Sequence, residues 1–252
     1  MIAFGAKGQQ EGLGAGGGIV GIDVQQPYGD ICRDRYGQWL CERRNSDQTV
    51  VCLEKDVRIF QNLDWKDGSA RWANVASDGR TIAFDGKPGG DYRIYFRDTI
   101  DPSLPRFELI GENGDWSPNG QQMVYRSGRD NKTGIWISNR NDSGHQLITN
   151  EGTDNFPAWS PNGRQIAFSR DVNGNMDIYT MNVDGSNIQR ITDAPNQDTL
   201  PVYTPSGDII FRSARTGNWS IWKMSSDGSN QQEIVTNADP GPDWAFGRMD
   251  VR

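Results

Sequence analysis

Histidine and cysteine are scarce in this sequence of 252 residues, which has one histidine, His145, and three cysteines. A Ser-His-Asp triad would have to use His145, and a metal site built from several histidines is excluded. The nucleophile-elbow motif Gly-x-Ser-x-Gly is also absent. These absences favour a non-catalytic protein over an enzyme. Because His145 lies in a stretch typical of a turn or strand edge, we expect its side chain to be solvated and assign no catalytic residue.

Positive charge is also in short supply, since the formal net charge is −7 at neutral pH. A protein that binds nucleic acid usually carries a basic stripe, so the charge argues against a nucleic-acid partner. No run of 18 or more apolar residues is present, and the sequence therefore predicts no membrane-spanning helix and no membrane insertion. The oligomeric state cannot be read from these features.

An internal repeat is the strongest positive signal in the chain. Large residues that end a strand-like run recur at Phe4, Phe84, Tyr125, Phe168 and Phe211. Placing Cys41 at the same position fills the gap between the first two, and the intervals become 37, 43, 41, 43 and 43 residues. Repeats of this length are typical of β-propeller blades.

The clearest unit follows Pro157 and predicts four strands. Residues 158–160, 165–169, 177–182 and 189–192 are short strand-like runs, and turn signals such as Pro161-Asn162-Gly163 separate them. Residues 177–182 alternate apolar and polar positions, as a strand should. Four short strands for every 40–45 residues, without a helical pattern between them, are the mark of a propeller. A sandwich with the same number of strands would not require so constant a period.

We therefore predict an all-β, six-bladed propeller with four-stranded antiparallel blades, in one domain over residues 1–252. A C-terminal first strand near Trp244 is expected to join the N-terminal strand 2–4 and close the ring, which removes open sheet edges. The predicted blade boundaries are 1–30 plus 242–248, 31–68, 69–111, 112–150, 154–193 and 198–237.

The repeated motifs resemble those of the TolB-like, WD-repeat-like β-propeller family. The resemblance rests on Trp159-Ser160-Pro161-Asn162-Gly163 with Ile166-Ala167-Phe168, on Asp184-Gly185-Ser186, and on Asp227-Gly228-Ser229 after Ile221-Trp222. It covers residues 74–236 well and 1–70 poorly. It implies a protein- or ligand-binding scaffold or sensor module, as in periplasmic TolB, with a protein or peptide partner. The same fold also occurs in prolyl-oligopeptidase-like enzymes and oligogalacturonate lyases, so the alternative is a polysaccharide- or peptide-processing enzyme that uses the central funnel.

Polar residues at one face of the predicted ring are the candidate binding residues. The loops after second strands and before first strands emerge on the same face, where they could hold a peptide or small anion. The candidates are Arg126, Arg170, Arg212, Arg215, Asp154 and Asp198. Solvated loop residues are the competing interpretation.

One loop has oxygen-bearing side chains at alternating positions, which suggests calcium. These residues are Asp171, Asn173, Asn175 and Asp177. An EF-hand would also need a glycine at its sixth position and an acid at its twelfth, and both are missing. Asn173-Gly174 is a favoured two-residue hairpin turn. We therefore predict a turn and no cofactor, with calcium as the weaker alternative.

The predicted hairpin centred near residues 46–47 places Cys41 directly opposite Cys52. Opposed residues on antiparallel strands bring their Cβ atoms within about 4.5–5.5 Å, close to disulfide geometry. Two reduced core cysteines, or a bridge between Cys32 and Cys41, are the alternatives. A disulfide would indicate an exported protein, so we expect a periplasmic or extracellular location.

Intact mass tests the Cys41–Cys52 disulfide. Alkylation of the unfolded chain without reductant should modify one thiol, that of Cys32, and alkylation after reduction should modify all three. The matched control is Cys32→Ser, which should show no reactive thiol before reduction. Three reactive thiols before reduction would contradict the disulfide.

Overall fold

The computed structural model describes residues 2–6, 18–22, 41–44, 49–52, 71–78, 81–87, 90–98, 108–236 and 249–251. Apart from one 3-10 turn over Arg129–Asn131, the regular structure in these ranges is β-strand, as the sequence predicts. The strands form four four-stranded sheets and one five-stranded sheet. All their strand pairs are antiparallel.

The four-stranded sheets are named blades I to IV, and each uses four consecutive strands. Blade I consists of β5 (Arg71–Val75), β6 (Thr81–Gly86), β7 (Arg93–Asp98) and β8 (Glu108–Ile110). Blade II consists of β9 (Glu112–Trp116), β10 (Gln122–Ser127), β11 (Gly134–Asn139) and β12 (Ser143–Leu147). Blade III consists of β13 (Asp154–Trp159), β14 (Gln165–Val172), β15 (Asn175–Asn182) and β16 (Gln189–Arg190). Blade IV consists of β17 (Asp198–Tyr203), β18 (Ile209–Ser213), β19 (Ser220–Met224) and β20 (Gln232–Val235).

The fifth sheet, named the N-terminal sheet, joins both ends of the described chain. It contains β1 (Ile2–Ala6), β2 (Gly18–Ile22), β3 (Cys41–Arg44), β4 (Thr49–Cys52) and β21 (Met249–Val251) in the order β21-β1-β2-β4-β3. First strands of successive blades contact one another, β21 contacts β17, and β1 contacts β5. The five sheets therefore close into a ring.

The prediction of six separate blades is wrong for the described residues. The hairpin β3–β4 does not begin a blade of its own, because Gly21 of β2 pairs with Cys52 of β4 and continues one sheet. An isolated two-stranded hairpin is marginally stable, whereas merging two hairpins gives a sheet wide enough to pack. The predicted facing of Cys41 and Cys52 is confirmed in the backbone register. Their side chains and Cys32 lie outside the described part, so the disulfide stays a prediction.

The prediction that a C-terminal strand joins the N-terminal one is confirmed, with a different strand. Met249, Asp250 and Val251 pair with Phe4, Ala3 and Ile2. The segment 242–248, which we predicted for this role, lies outside the described residues. The pairing covers one edge of β1 and leaves the other to β2.

Alternation along each second strand builds the core between blades. On β10, Met123 and Tyr125 pack towards blade I, and Val124 between them packs towards blade III. Successive strand residues point to opposite faces of a sheet, so one strand contributes to two interfaces. The predicted aromatic positions Phe84, Tyr125, Phe168 and Phe211 are all 0% exposed.

Removing the closing strand should destroy cooperative unfolding. A variant that lacks residues 249–252 leaves one edge of β1 unpaired and removes the contact between β21 and β17. We expect an earlier and broader urea transition with a lower m-value, followed by circular dichroism. The control lacks Arg252 alone. Equal midpoints and slopes for the two variants would show that β21 does not close the ring.

Candidate functional site

An apolar cluster of side chains lies on the ring axis. Trp72 of blade I, Phe156 of blade III and Leu200 of blade IV pack into one cluster and are 3–5% exposed. The rings of Trp72 and Phe156 stack with centroids 5.2 Å apart. Blades I and III are separated by blade II, so their first strands can meet only across the centre. With the half-buried Met176, these residues are named the axial cluster.

Every one of these first strands turns inward at one left-handed residue. The backbone φ angles are 61° at Trp72, 57° at Asn113, 52° at Phe156 and 57° at Leu200. Positive φ is uncommon for residues other than glycine and costs on the order of 1–3 kcal/mol for a bulky side chain. In all four blades a break in the register between the first and second strands accompanies it. The repetition indicates that the inward bulge is a regular part of each blade.

Backbone groups at these left-handed positions are held by the preceding blade. The Asn113 N–H donates to the Asp85 carboxylate at 2.6 Å, and the Leu200 N–H donates to the Ser169 hydroxyl at 3.2 Å. The Asn113 side-chain amide donates to the Asn155 oxygen at 2.6 Å, one blade further on. Neighbouring blades therefore fix the inward bulges together.

Three arginine–carboxylate pairs link the first and second strands of blades II to IV, and they are named the rim pairs. Each carboxylate lies one or two residues before the left-handed residue of its first strand. Arg126 binds Glu112 at 2.6 Å, Arg170 binds Asp154 at 2.5 Å, and Arg215 binds Asp198 at 2.5 Å. Each carboxylate belongs to the start of a first strand, and each arginine belongs to or follows the end of the second strand. The three pairs therefore emerge on the same face of blades II to IV.

Two rim pairs bury their carboxylates completely. The Asp154 and Asp198 side chains are 0% exposed, against 18% for Arg170 and 15% for Arg215. Both arginines are bidentate, and the hydrogen bond from Arg170 to Asp154 raises the pKa of Arg170. Their guanidinium groups also lie over aromatic rings, at 5.1 Å from Tyr179 and 4.5 Å from Trp222. These predicted binding residues thus hold first and second strands together.

Arg126 and Arg212 occupy equivalent positions on the second strands of blades II and IV. Arg126 also donates to the Gly152 carbonyl at 3.3 Å, which ties blade II to the loop before β13. Arg212 is 7% exposed, and burial lowers its pKa to about 10. Arg212 therefore stays cationic at neutral pH beneath the face that carries the rim pairs.

The suggested calcium loop forms a two-residue hairpin turn. Val172 pairs with Asn175, and the turn residues Asn173 and Gly174 have φ of 58° and 85°. The Asp171 carboxylate accepts the Gly174 N–H at 2.7 Å, and Asp177 accepts from Arg190 at 2.7 Å. Burial raises the pKa of Asp177, against the effect of Arg190.

The prediction of a solvated His145 is correct only in part, because its side chain is 19% exposed and also makes hydrogen bonds. His145 lies in β12, where its Nδ1 is 3.0 Å from the Tyr125 hydroxyl and its Nε2 is 3.2 Å from the Asp142 carboxylate. Tyr125 is fully buried, and burial raises its pKa. The histidine is therefore one of the hydrogen-bonding partners of a buried hydroxyl.

In the part of the chain that the structure describes, no three His, Cys, Asp or Glu side chains gather as a metal site. The same ranges contain no helix with the length and apolarity to cross a membrane.

Comparison with known proteins agrees with this architecture. The family model for the TolB beta propeller domain matches residues 113–245, which is more than half of the chain. The chain therefore belongs to the TolB beta propeller domain family. No curated protein sequence matches it.

Solved propellers from three organisms show the same fold. Putative TolB from Agrobacterium tumefaciens is 24% identical with a TM-score of 0.60, over 67% of this chain and 62% of its own. TolB from Acinetobacter baumannii is 23% identical with a TM-score of 0.55, over 62% of this chain and 41% of its own. The propeller domain of the Trilobed protease from Pyrococcus furiosus is 13% identical with a TM-score of 0.52, over 67% and 56%. The chain thus spans less than two thirds of the two TolB proteins, and the likeness concerns fold.

Sequence reasoning missed the axial cluster. Trp72, Phe156 and Leu200 each lie 11 or 12 residues before the buried aromatic residue of the next strand, and this constant offset was the available signal. The residue types at these positions do not reveal the inward bulge. Among the four residues with positive φ, only Asn113 is of a type that favours the left-handed conformation.

Breaking one rim pair tests its structural role. Arg170→Met leaves the Asp154 carboxylate buried without its cation, and we expect a loss of about 3–5 kcal/mol in unfolding free energy. The matched control is Arg93→Met, whose partner Glu108 is 48% exposed. This control should lose only about 0–1 kcal/mol. Urea unfolding at neutral pH measures both. Similar small losses would show that the rim pair does not hold β13 to β14.

Proposed function

We propose that this chain is a non-catalytic propeller scaffold that binds a protein or peptide on the face formed by the rim pairs. The observation that carries the proposal is the axial cluster. Trp72, Phe156 and Leu200 fill the centre next to that face, so a ligand would rest across the mouth of the ring and not enter it. Strained residues held by surrounding structure are often found where a protein binds a partner.

The composition of this face suits a peptide. Charged rim pairs lie beside the half-buried thioether of Met176, which gives a peptide both polar and apolar contacts. Arg170 and Arg215 are already ordered by Asp154 and Asp198, so binding would not have to order their side chains. Of the six predicted binding residues, Arg126, Arg170 and Arg215 would contact the peptide, because their side chains are partly exposed. The buried Asp154 and Asp198 would act by ordering two of these arginines, and the buried Arg212 would act through its charge beneath the face.

The alternative, an enzyme that uses the central funnel, gains no support from the described residues. Its substrate would need the axial space that Trp72, Phe156 and Leu200 occupy. A calcium ion at Asp171, Asn173, Asn175 and Asp177 would have to compete with the hydrogen bonds that Asp171 and Asp177 already accept.

A periplasmic or extracellular location is part of the proposal. The TolB relatives support it by family membership, and the directly opposed Cys41 and Cys52 support it through the disulfide they would form. The protein partner of such a scaffold would be met outside the cytoplasm.

A bulky residue on the proposed face should block binding. A side chain added at Gly152 would meet no other atom within 4 Å of its Cβ, and the Gly152 carbonyl accepts from Arg126. Gly152→Trp therefore adds a large ring beside a rim pair without disturbing the fold. Peptides are first selected with the unchanged protein from a displayed library of random peptides. We expect Gly152→Trp to weaken the selected peptides at least about tenfold, measured by calorimetry.

Gln121→Trp is the matched control, since this exposed residue lies in a turn on the opposite face. It should leave peptide affinity within about twofold, because a change remote from the contact surface has little effect. If Gly152→Trp binds as well as the unchanged protein, or if Gln121→Trp alone loses binding, the proposed face is wrong.

A further inference from the structure

A cavity of about 250 Å³ opens between blades III and IV on the face opposite the rim pairs. Its walls come from the turn between β13 and β14, the turn between β17 and β18, and the turn that follows β19. The rim pairs lie at the other ends of the same strands. This cavity, named the seam cavity, is therefore separate from the surface proposed above.

Tyr203 lines the seam cavity and carries a hydroxyl without a hydrogen-bond partner among the described residues. The residue is 6% exposed, and its ring packs with Ala158, Ile209 and Phe211 between the two blades. Its hydroxyl is buried and has no hydrogen-bond partner in the described structure. Phenylalanine would pack as well without a buried polar atom, so a hydrogen bond to a ligand would remove a free-energy cost that this hydroxyl now carries. Burial also raises the pKa of Tyr203, which keeps the hydroxyl able to donate and accept.

Other wall groups have hydrogen-bonding capacity to spare. The Gln165 side-chain amide and the Ser226 hydroxyl line the cavity and make no hydrogen bond to another described residue. The Asp208 carboxylate accepts from Lys223 at 2.8 Å, which lowers its pKa and balances its charge. The cavity therefore offers donors and acceptors without net charge.

These features select among ligand classes. An anion would meet the Asp208 carboxylate, and a cation would have to compete with Lys223, which already pairs with that carboxylate. A peptide backbone would find few partners, because the turn glycines Gly163, Gly207 and Gly228 already donate within their own turns. Each hydroxyl of a sugar both donates and accepts, as the free wall groups do. The volume, below the about 300–1,000 Å³ of drug-sized sites, suits a single ring.

We propose that the seam cavity binds one neutral monosaccharide unit, with the Tyr203 hydroxyl as its central hydrogen-bonding group. Gln165, Ser226 and the Asp208 carboxylate would contact the remaining hydroxyls, and Pro161 would cover the apolar face of the ring. Sugar binding here would be independent of peptide binding on the face formed by the rim pairs, which is named the rim face.

Titration with neutral sugars tests the site. Glucose, galactose, mannose and N-acetylglucosamine are added to the whole chain and followed by saturation-transfer NMR, with galacturonate as the anionic comparison. At least one neutral sugar should bind. Tyr203→Phe should weaken it about tenfold, while the denaturation midpoint stays equal or rises, because an unpartnered buried hydroxyl has been removed. Gln165→Ala provides a second variant that should also weaken the sugar.

Tyr125→Phe is the matched control, since the Tyr125 hydroxyl already has His145 as its partner. It should lower the denaturation midpoint and leave sugar affinity unchanged. The seam site is refuted if no neutral sugar binds at millimolar concentrations, if galacturonate alone binds, or if Tyr203→Phe keeps full affinity. Peptide binding that is lost in Gly152→Trp and kept in Tyr203→Phe would leave the rim-face proposal standing whatever the sugar result.

Discussion

Packing between neighbouring sheets is the interaction on which this molecule depends, since a blade has two apolar faces to bury. Tyr125 and Met123 fill the interface between blades I and II, while Val124 on the same strand fills the next one. Burial of each large apolar side chain contributes roughly 1.5–3 kcal/mol. The first and last sheets must satisfy the same requirement, and β21 does so by joining β1 and contacting β17. The ring closes because this apolar surface must be buried. Closure in turn creates the two faces of the ring, one with the rim pairs and one with the seam cavity.

Much of this architecture could be predicted from sequence, because a constant period requires each unit to bury the same positions. Phe84, Tyr125, Phe168 and Phe211 are fully buried where the repeat predicts a core, and the chain ends join in one sheet. The number of blades could not be predicted, because pairing of Gly21 with Cys52 is set by tertiary packing between two short hairpins. The closing strand was misplaced for a similar reason, since three residues, Met249–Val251, are too few to show a periodic pattern.

The candidate site was less predictable than the fold. Loop positions could suggest which arginines share a face, but not their partners, because sequence spacing does not reveal which carboxylates become buried. Asp154 and Asp198 are fully buried, and a buried carboxylate requires a cation, which Arg170 and Arg215 supply. The left-handed Trp72, Phe156 and Leu200 carry side chains that do not favour that backbone, so tertiary contacts alone explain it.

The stacking of Trp72 on Phe156 changes how a repeat protein of this kind should respond to damage. In an open array each unit touches its two neighbours, and stability is close to a sum of unit and nearest-neighbour contributions. Here blade I contacts blade III directly at the centre of the ring, although blade II lies between them. Blades I, III and IV are thus coupled through the axial cluster as well as through their neighbours. A disturbance in one blade reaches a non-adjacent blade without passing through the intervening one, and the repeats lose the modular independence that a linear array would have.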